Sequence, residues 1–444
     1  MMGTVAGGGG GRRARGRDAG GRDAGGRVRW ARAGAAPVVV GFLLGVLVLV
    51  ARRPDTVLHA QFWAEDGRIY YSDVYNLGIR RTIFKPQAGY FQTFAVLVAW
   101  LARLVTLKDA PYVTDWTALL VQALPVPLLL SRRAASISPD IRVRLLIAFV
   151  YLIMPNETEL DATAVNQQWS LVVSALIVLM LDPPARRGWR VLDGAILIVS
   201  GLTGPFAPVL AILAWIRRRV RGADALPLVY AIVLSVCAIV QLAAVLYISH
   251  HVSGVSVEGR TSPQLGATTA LFARLVGGRV LVGTVIGEAN GMSAPLLLDW
   301  AAILAAVVTL CALVKARRIE LLMFVTLGAA VLGGALLDPT VPSPAWPILA
   351  ALPPNVQRYF FLAETAVVIL LIWITIAGRW PPLRFAAAAA VLSAMVFAIG
   401  HWTYQSPGDS PFATEAAAFQ RAPRGTVSTI VINPHGWAMT LKKR

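Results

Sequence analysis

A succession of apolar runs almost free of charge constrains this chain more than any other feature. They fall near 36–51, 88–107, 114–131, 169–181, 225–249, 295–314, 320–337, 358–377 and 384–402. Two more are shorter or broken: 143–155, closing on Pro155, and 191–216, interrupted by Thr203-Gly204-Pro205-Phe206 and Pro208. At helical rise such runs are long enough to cross a bilayer. The pattern predicts an all-α polytopic membrane protein with about eleven transmembrane helices. It leaves no room for a sizeable soluble domain. Only 14% of the residues are charged, against about 25% in soluble proteins. That contrast excludes a soluble globular chain, a disordered one and an ordinary nucleic-acid binder. The basic surplus of 18 charges then marks cytoplasmic loops rather than a nucleic-acid footprint, and the lipid bilayer is the first expected partner.

Three regions follow. Residues 1–36 hold eight Arg, two Asp and 12 of the 38 Gly, with GRDAG repeated at 16–20 and 21–25. Low complexity and high charge predict a disordered cytoplasmic tail that fixes the start of the first span inside. Residues 37–402 form the multi-span membrane domain, and 403–444 a short extracytoplasmic tail. The basic clusters Arg132 to Arg144, Arg186 to Arg190, Arg217 to Arg221, Lys315 to Arg318 and Arg379 to Arg384 belong on the cytoplasmic side. Arg186 to Arg190 and Arg217 to Arg221 share that side if 191–216 goes in and comes back at Gly204-Pro205. If 88–107 and 114–131 both span, however, Arg132 to Arg144 fall on the side of loop 52–87, against the charge rule. Cys237 and Cys311 sit inside apolar runs and offer neither metal spacing nor a disulfide framework.

Candidate chemistry begins in HAQFWAEDGRIYYSDVYNLGIRRTIFKPQAGY, residues 59–90. Glu65 and Asp66 are adjacent acids just beyond the first span, wrapped in aromatics. Partial burial and mutual repulsion raise one pKa of such a pair, which suits general-base work. The alternative is that Asp66 caps a surface helix. The stretch 68–84 sets Tyr70, Tyr71, Val74 and Tyr75 against Arg68, Ser72, Asp73 and Asn76, the pattern of interfacial helices. Tyr90 closes the loop.

The loop PNETELDATAVNQQW, 155–169, places Glu157, Glu159 and Asp161 at alternate positions before Asn166, Gln168 and Trp169. Three oxygen donors at that spacing suit a divalent cation or a sugar; a plain solvated loop is the alternative. Arg358, followed by Tyr359, opens the run at 358–377. A guanidinium at a span end suits a lipid phosphate, or it snorkels and pairs with Glu364. His250-His251 reads as an interface feature, Arg260, Arg274 and Arg279 are less specific phosphate candidates, and the apolar piece 265–286 is expected in the interface. The tail predicts a strand at Thr426–Ile432, a turn at Asn433–Gly436 and a return strand at Trp437–Leu441, a small β-hairpin that must dock elsewhere to be stable.

The acids opening the first outer loop, the interfacial stretch to Tyr90, the string NQQW at 166–169 and Arg358-Tyr359-Phe360-Phe361 together resemble the GT-C superfamily of membrane glycosyltransferases, in its actinobacterial members. The resemblance implies a polyprenyl-phosphate sugar donor and a cell-envelope glycan or lipid acceptor. It implies Asp66 as base with Glu65 as partner, and Arg358 on the departing phosphate. Tyr90, Glu157, Asn166, Gln168, Trp169 and Tyr359 would line the substrate site. The absence of a Walker loop, a DxD pair and a G-x-S-x-G elbow disfavours ATP-driven transport and direct use of a nucleotide sugar. Two rival readings are a transporter or flippase of a lipid-linked glycan, suggested by the broken run 191–216, and a non-catalytic membrane scaffold.

Overall fold

Backbone N–H and C=O groups in lipid must be satisfied within their own segment, so apolar sequence of this kind closes into helices. A computed structural model describes residues 36–87, 89–154, 159–251, 264–339, 341–352, 354–404 and 408–444. The expected Arg/Gly-rich tail, Glu157, Arg260 and the side chains of His250-His251 lie outside the described residues. The longer helices are α1 (Ala36–Arg52), α2 (Thr93–Ala102), α3 (Ala110–Gln122), α4 (Ile141–Leu152), α5 (Gln167–Met180), α6 (Arg187–Gly201) and α7 (Ala207–Arg221). They continue with α8 (Leu228–His251), α9 (Leu296–Lys315), α10 (Ile319–Leu337), α11 (Phe361–Ala377), α12 (Pro381–Gly400) and α13 (Phe412–Arg421). Strands β1 (Val427–Ile432) and β2 (Trp437–Lys442) pair antiparallel, Val427 opposite Lys442 and Ile432 opposite Trp437.

Among the described residues, six helical segments are long and apolar enough to cross a membrane: Ala110–Leu130, Leu228–Tyr247, Thr269–Ile286, Leu296–Lys315, Ile319–Leu337 and Pro381–Gly400. Helices α1, α2, α5 and α11 are apolar but shorter. The chain is thus a helical protein of membrane type with a two-stranded tail, and its long apolar helices number fewer than the runs in the sequence. One reason is that loop 159–166 sinks into the protein. Every residue from 159 to 181 is buried, so α5 is the central helix, apolar on all sides as a buried helix must be. The loop's polar side chains close its own backbone. The Asn166 amide donates to the Glu159 carbonyl at 2.6 Å, and that of Gln167 to the Leu160 and Thr163 carbonyls at 3.0 and 3.2 Å. A solvated loop, one of the two readings of this sequence, is ruled out for residues 159–168.

The run 88–107 departs most from expectation. It holds only the ten residues of α2, and both ends stay on one face. Ahead of α2, the Thr93 N–H donates to the Leu202 carbonyl at 3.1 Å. Behind it, Arg103 donates to the Val74 carbonyl at 3.4 Å and stacks 5.7 Å from the Tyr75 ring. Ala102, Leu107 and Ala110 share a core cluster with Phe62 and Tyr71. The next helical stretch, α3 with Pro125–Leu130, then leads away from this face and delivers Arg132 to Arg144 to the opposite one.

That opposite face collects the basic clusters. Arg133 bonds Asp193 through both terminal nitrogens at 2.9 and 2.6 Å, and Tyr230 donates to the same carboxylate at 2.8 Å. Arg133 also donates to the Asp182 carbonyl, and Arg217 to the Met180 and Leu181 carbonyls. Arg221 pairs with Glu320. The starts of α6 and α8 and the end of α7 therefore meet at one level. As expected, 191–216 enters and returns, as two helices of fifteen residues broken at Gly204 (φ +79°). The break is closed internally: the Gly204 N–H donates to the Phe91 carbonyl, and the Gln241 amide to the carbonyls of Phe91, Gly201 and Gly204.

The first face, called the site face below, gathers segments 52–87 and 89–92, loop 159–166 and the tail from 408. Arg52, buried at the end of α1, donates to the Leu152 and Met154 carbonyls at 2.7 and 2.9 Å. Just ahead of the stretch Thr269–Ile286, the Gln264 and Leu265 carbonyls accept from Ala345 and Trp346 beyond the end of α10, and the Val285 carbonyl accepts from Ser393 in the second half of α12. These contacts tie its start to the segment after α10 and its end to α12.

Candidate functional site

The site starts from backbone that L-residues avoid. Ala64 has φ +41° and Ala162 φ +61°, conformations that cost of order 1–3 kcal/mol each. The first immediately precedes Glu65-Asp66, and the second lies in the buried loop. The tail holds the first in place. The Asn433 carbonyl accepts from the Ala64 N–H at 2.6 Å, and the Asn433 N–H donates to the Phe62 carbonyl at 3.2 Å. The Asn433 side-chain amide donates to Gln61 Oε1 at 3.0 Å, which also accepts from Ser410. Ile430, Ile432, Met439 and Leu441 of the hairpin bury against Phe62, Tyr71, Phe412 and Phe419. A Cβ on Gly67 would stand 2.8 Å from Ile432 Cδ1 and 2.9 Å from Phe62 Cβ, so only glycine admits the hairpin this close. The tail hairpin, expected to dock somewhere, docks on the acid segment.

Asp66 opens a π-helical turn, Asp66–Tyr71. Its carboxylate is 4% exposed and accepts from the Ala164 N–H through Oδ2 and the Val165 N–H through Oδ1, both at 2.8 Å. It therefore crosses to the buried loop rather than capping its own helix: no side-chain cap bond is present at that helix start. Burial pushes its pKa up to about 7; the two amide bonds work the other way and the Glu65 charge adds to the rise. Glu65 is half-buried and makes no hydrogen bond among the described residues. Its charge is felt by Asp66, Glu159 and Arg358.

Arg358 lies in the 3-10 turn Pro354–Tyr359, just before α11. It pairs with Glu159, which also accepts from the Arg358 N–H at 3.4 Å. The expected alternative partner, Glu364, lies elsewhere. Burial raises the Glu159 pKa while Arg358 opposes the rise. Burial disfavours the Arg358 charge, but Glu159 and then Tyr359 hold the guanidinium charged. The Tyr359 ring lies 5.0 Å under that guanidinium, and its hydroxyl accepts at 3.4 Å.

Glu65, Asp66, Asn166 and Arg358 thus meet through a single buried loop. Tyr90 joins at the rim: half-buried, it acts electrostatically on Tyr70, which also feels Glu65 and Asp66. Gln168 and Trp169 sit one layer deeper. Gln168 Oε1 accepts from Gln92 at 3.3 Å, and Trp169 packs edge-on to Phe206 at 5.0 Å. Residues not singled out in the sequence also complete the site. Arg53 donates to the Asp161 carbonyl at 3.0 Å while paired with Asp55, and Gln122 donates to the Asp161 carboxylate. A narrow apolar crevice of about 10 Å³ is lined by Leu129, Tyr151, Met154, Ile177, Phe324 and Ile372, among others.

Among the described residues no group of three or more His, Cys, Asp or Glu could hold a metal ion. The acids at alternate positions go instead to a guanidinium (Glu159) and an amide (Asp161). No protein-family profile, curated protein or solved structure matches the chain.

Proposed function

We propose that this chain is an integral membrane glycosyltransferase that moves a sugar from a polyprenyl-phosphate donor to a cell-envelope glycan or lipid. The observation that carries the reading is the buried Asp66 carboxyl, poised near neutral pH and joined through one loop to the Glu159–Arg358 pair. A base whose pKa lies near the working pH combines ionisation with proton affinity. Each Asp66 oxygen keeps a lone pair beyond the one its amide uses. Asp66 takes the acceptor hydroxyl's proton, with Glu65 on the approach. Arg358 steadies the charge that grows on the departing lipid phosphate. Asn166 and Gln168 fix the loop and α5 behind the sugar, and Tyr90 and Tyr359 present aromatic faces to it. The site face is extracytoplasmic and the basic face cytoplasmic in this reading.

The test is transfer in membranes supplied with radiolabelled polyprenyl-phosphate sugars. Asp66→Asn is expected to lower transfer by about 10²–10⁴-fold, the usual worth of a general base, and to remove a rate limb with a midpoint near pH 7. Unchanged transfer by Asp66→Asn rules the base assignment out. A transporter of a lipid-linked glycan is the second reading, favoured by the internally closed helix break at Gly204. It predicts movement of the intact lipid with no new glycosidic bond.

A further inference from the structure

Away from Asp66, the π-helical segment Arg274–Val282, the short helix Glu288–Ser293 and the first turn of α11 bury three ionisable side chains together. Arg279 is wholly inaccessible. Its Nε and Nη2 donate to Glu288 Oε1 at 3.1 and 3.0 Å, and its Nη1 donates to the Leu349 carbonyl at 2.9 Å. Its guanidinium lies 3.7 Å from the centre of the Phe360 ring. Glu364, one turn beyond Phe360, is 3% exposed, and its Oε1 has no hydrogen-bond partner among the described residues. The charged groups acting on it are Glu288 and Arg279.

Two carboxylates against one guanidinium leave an excess negative charge on side chains that are all more than nine-tenths buried. An ionised carboxylate lacking both a hydrogen bond and a paired cation is among the costliest groups to bury. Three of the arginine's five N–H donors go to Glu288 and Leu349, and no hydrogen bond from it to Glu364 is present among the described residues. We propose that Glu364 and Glu288 form a proton-binding site, with the proton on Glu364 and Glu288 left as the anion that Arg279 holds. The cluster is then electrically neutral: one guanidinium, one carboxylate and one carboxylic acid. A metal cation is the poorer ligand, because it needs several oxygen donors and would sit beside a fixed positive charge. Buried carboxyls that exchange a proton are the working parts of membrane proton relays. This site stands apart from the Asp66 cluster and does not depend on sugar transfer.

The test is infrared spectroscopy of the full chain in lipid nanodiscs, with the proton itself as probe. At roughly pH 9, two units above the Asp66 midpoint of about 7 and so with that group almost fully ionised, the wild-type minus Glu364→Gln difference is expected to show one carboxylic-acid carbonyl band. The band shifts in heavy water. Glu288→Gln is expected to remove the same band, because Glu364 then becomes the anion that Arg279 holds; Asp66→Asn is expected to leave it. Glu364→Gln is also expected to match the wild-type thermal midpoint in acid, where the glutamate is protonated folded and unfolded alike, and to exceed it as pH rises, because only the wild type must take up a proton on folding. Carboxylate bands in place of the acid band in both differences would overturn the proposal. So would a thermal midpoint that falls when sodium is replaced by choline in wild type but not in Glu364→Gln, because the ligand would then be a metal cation.

Discussion

Scarce charge in an apolar chain draws attention to each acid, which is why Glu65-Asp66 and Arg358 were legible in the sequence. Their partners were less so. Acids at 157, 159 and 161 alternate, and nothing in that spacing says which one meets a guanidinium; the fold selects Glu159. Glu364, six residues from Arg358, lies beyond the three- or four-residue reach of helix neighbours and instead feels the charges of the Arg279–Glu288 pair, with its Oε1 making no hydrogen bond among the described residues. Two predictions belong at this scale. Burial lifts Asp66 from 3.8 to about 7, so between those values the folded chain binds the proton that the unfolded chain has lost. Its contribution to stability is therefore full below pH 3.8 and declines as pH rises through about 7. Thermal midpoints across that window are expected to show this decline in wild type and not in Asp66→Asn. The Asn amide faces an N–H donor, so hydrogen exchange at Ala164 or Val165 is expected to speed up in the same variant. Glu159→Gln and Arg358→Lys are each expected to lower stability by about 1–3 kcal/mol, since both disturb a charge-assisted hydrogen bond. Their double mutant is expected to cost less than the sum, which a thermodynamic cycle checks.

Among the elements, the tail hairpin was legible in full. β-Branched residues fill Thr426 to Ile432 except at Ser428, and a turn sequence follows; the strands form at Val427–Ile432 and Trp437–Lys442. Its docking site was not legible, because it depends on a Gly67 that admits Ile432 and on backbone bonds from Asn433 that carry no sequence signature. The loop before α5 was misleading for a related reason. Its polar residues look solvated, but they serve to close the loop's own backbone inside the protein. Deleting 403–444 removes the partners of Gln61, Phe62 and Ala64 and uncovers Phe62 and Tyr71. Exchange of the Ala64 amide is expected to accelerate strongly, while α5, buried along its whole length, stays protected. Equal loosening of α5 would mean that the tail supports the whole fold rather than the acid segment.

For the molecule as a whole, hydropathy marked a helical membrane chain, but the described residues hold six long apolar helices rather than eleven. The run 88–107 is as apolar as a span, yet α2 is too short to cross, and its ends are held by Leu202 ahead and Val74 behind. Removing that crossing puts Arg132 to Arg144 with the other basic clusters, which the sequence alone left in conflict. The sidedness is open to cysteine labelling in a Cys237→Ala, Cys311→Ala background. Lys108→Cys is expected to react from the same side as His435→Cys, and Ala135→Cys from the other. The most direct measurement joins this sidedness to the chemistry: sugar transfer in proteoliposomes loaded with polyprenyl-phosphate sugars, with acceptor supplied to one side at a time. Transfer is expected only with acceptor on the side that labels Lys108→Cys, and it is expected to fall by at least about 10²-fold in Asp66→Asn. Transfer from the Ala135→Cys side, or full transfer by Asp66→Asn, would contradict it.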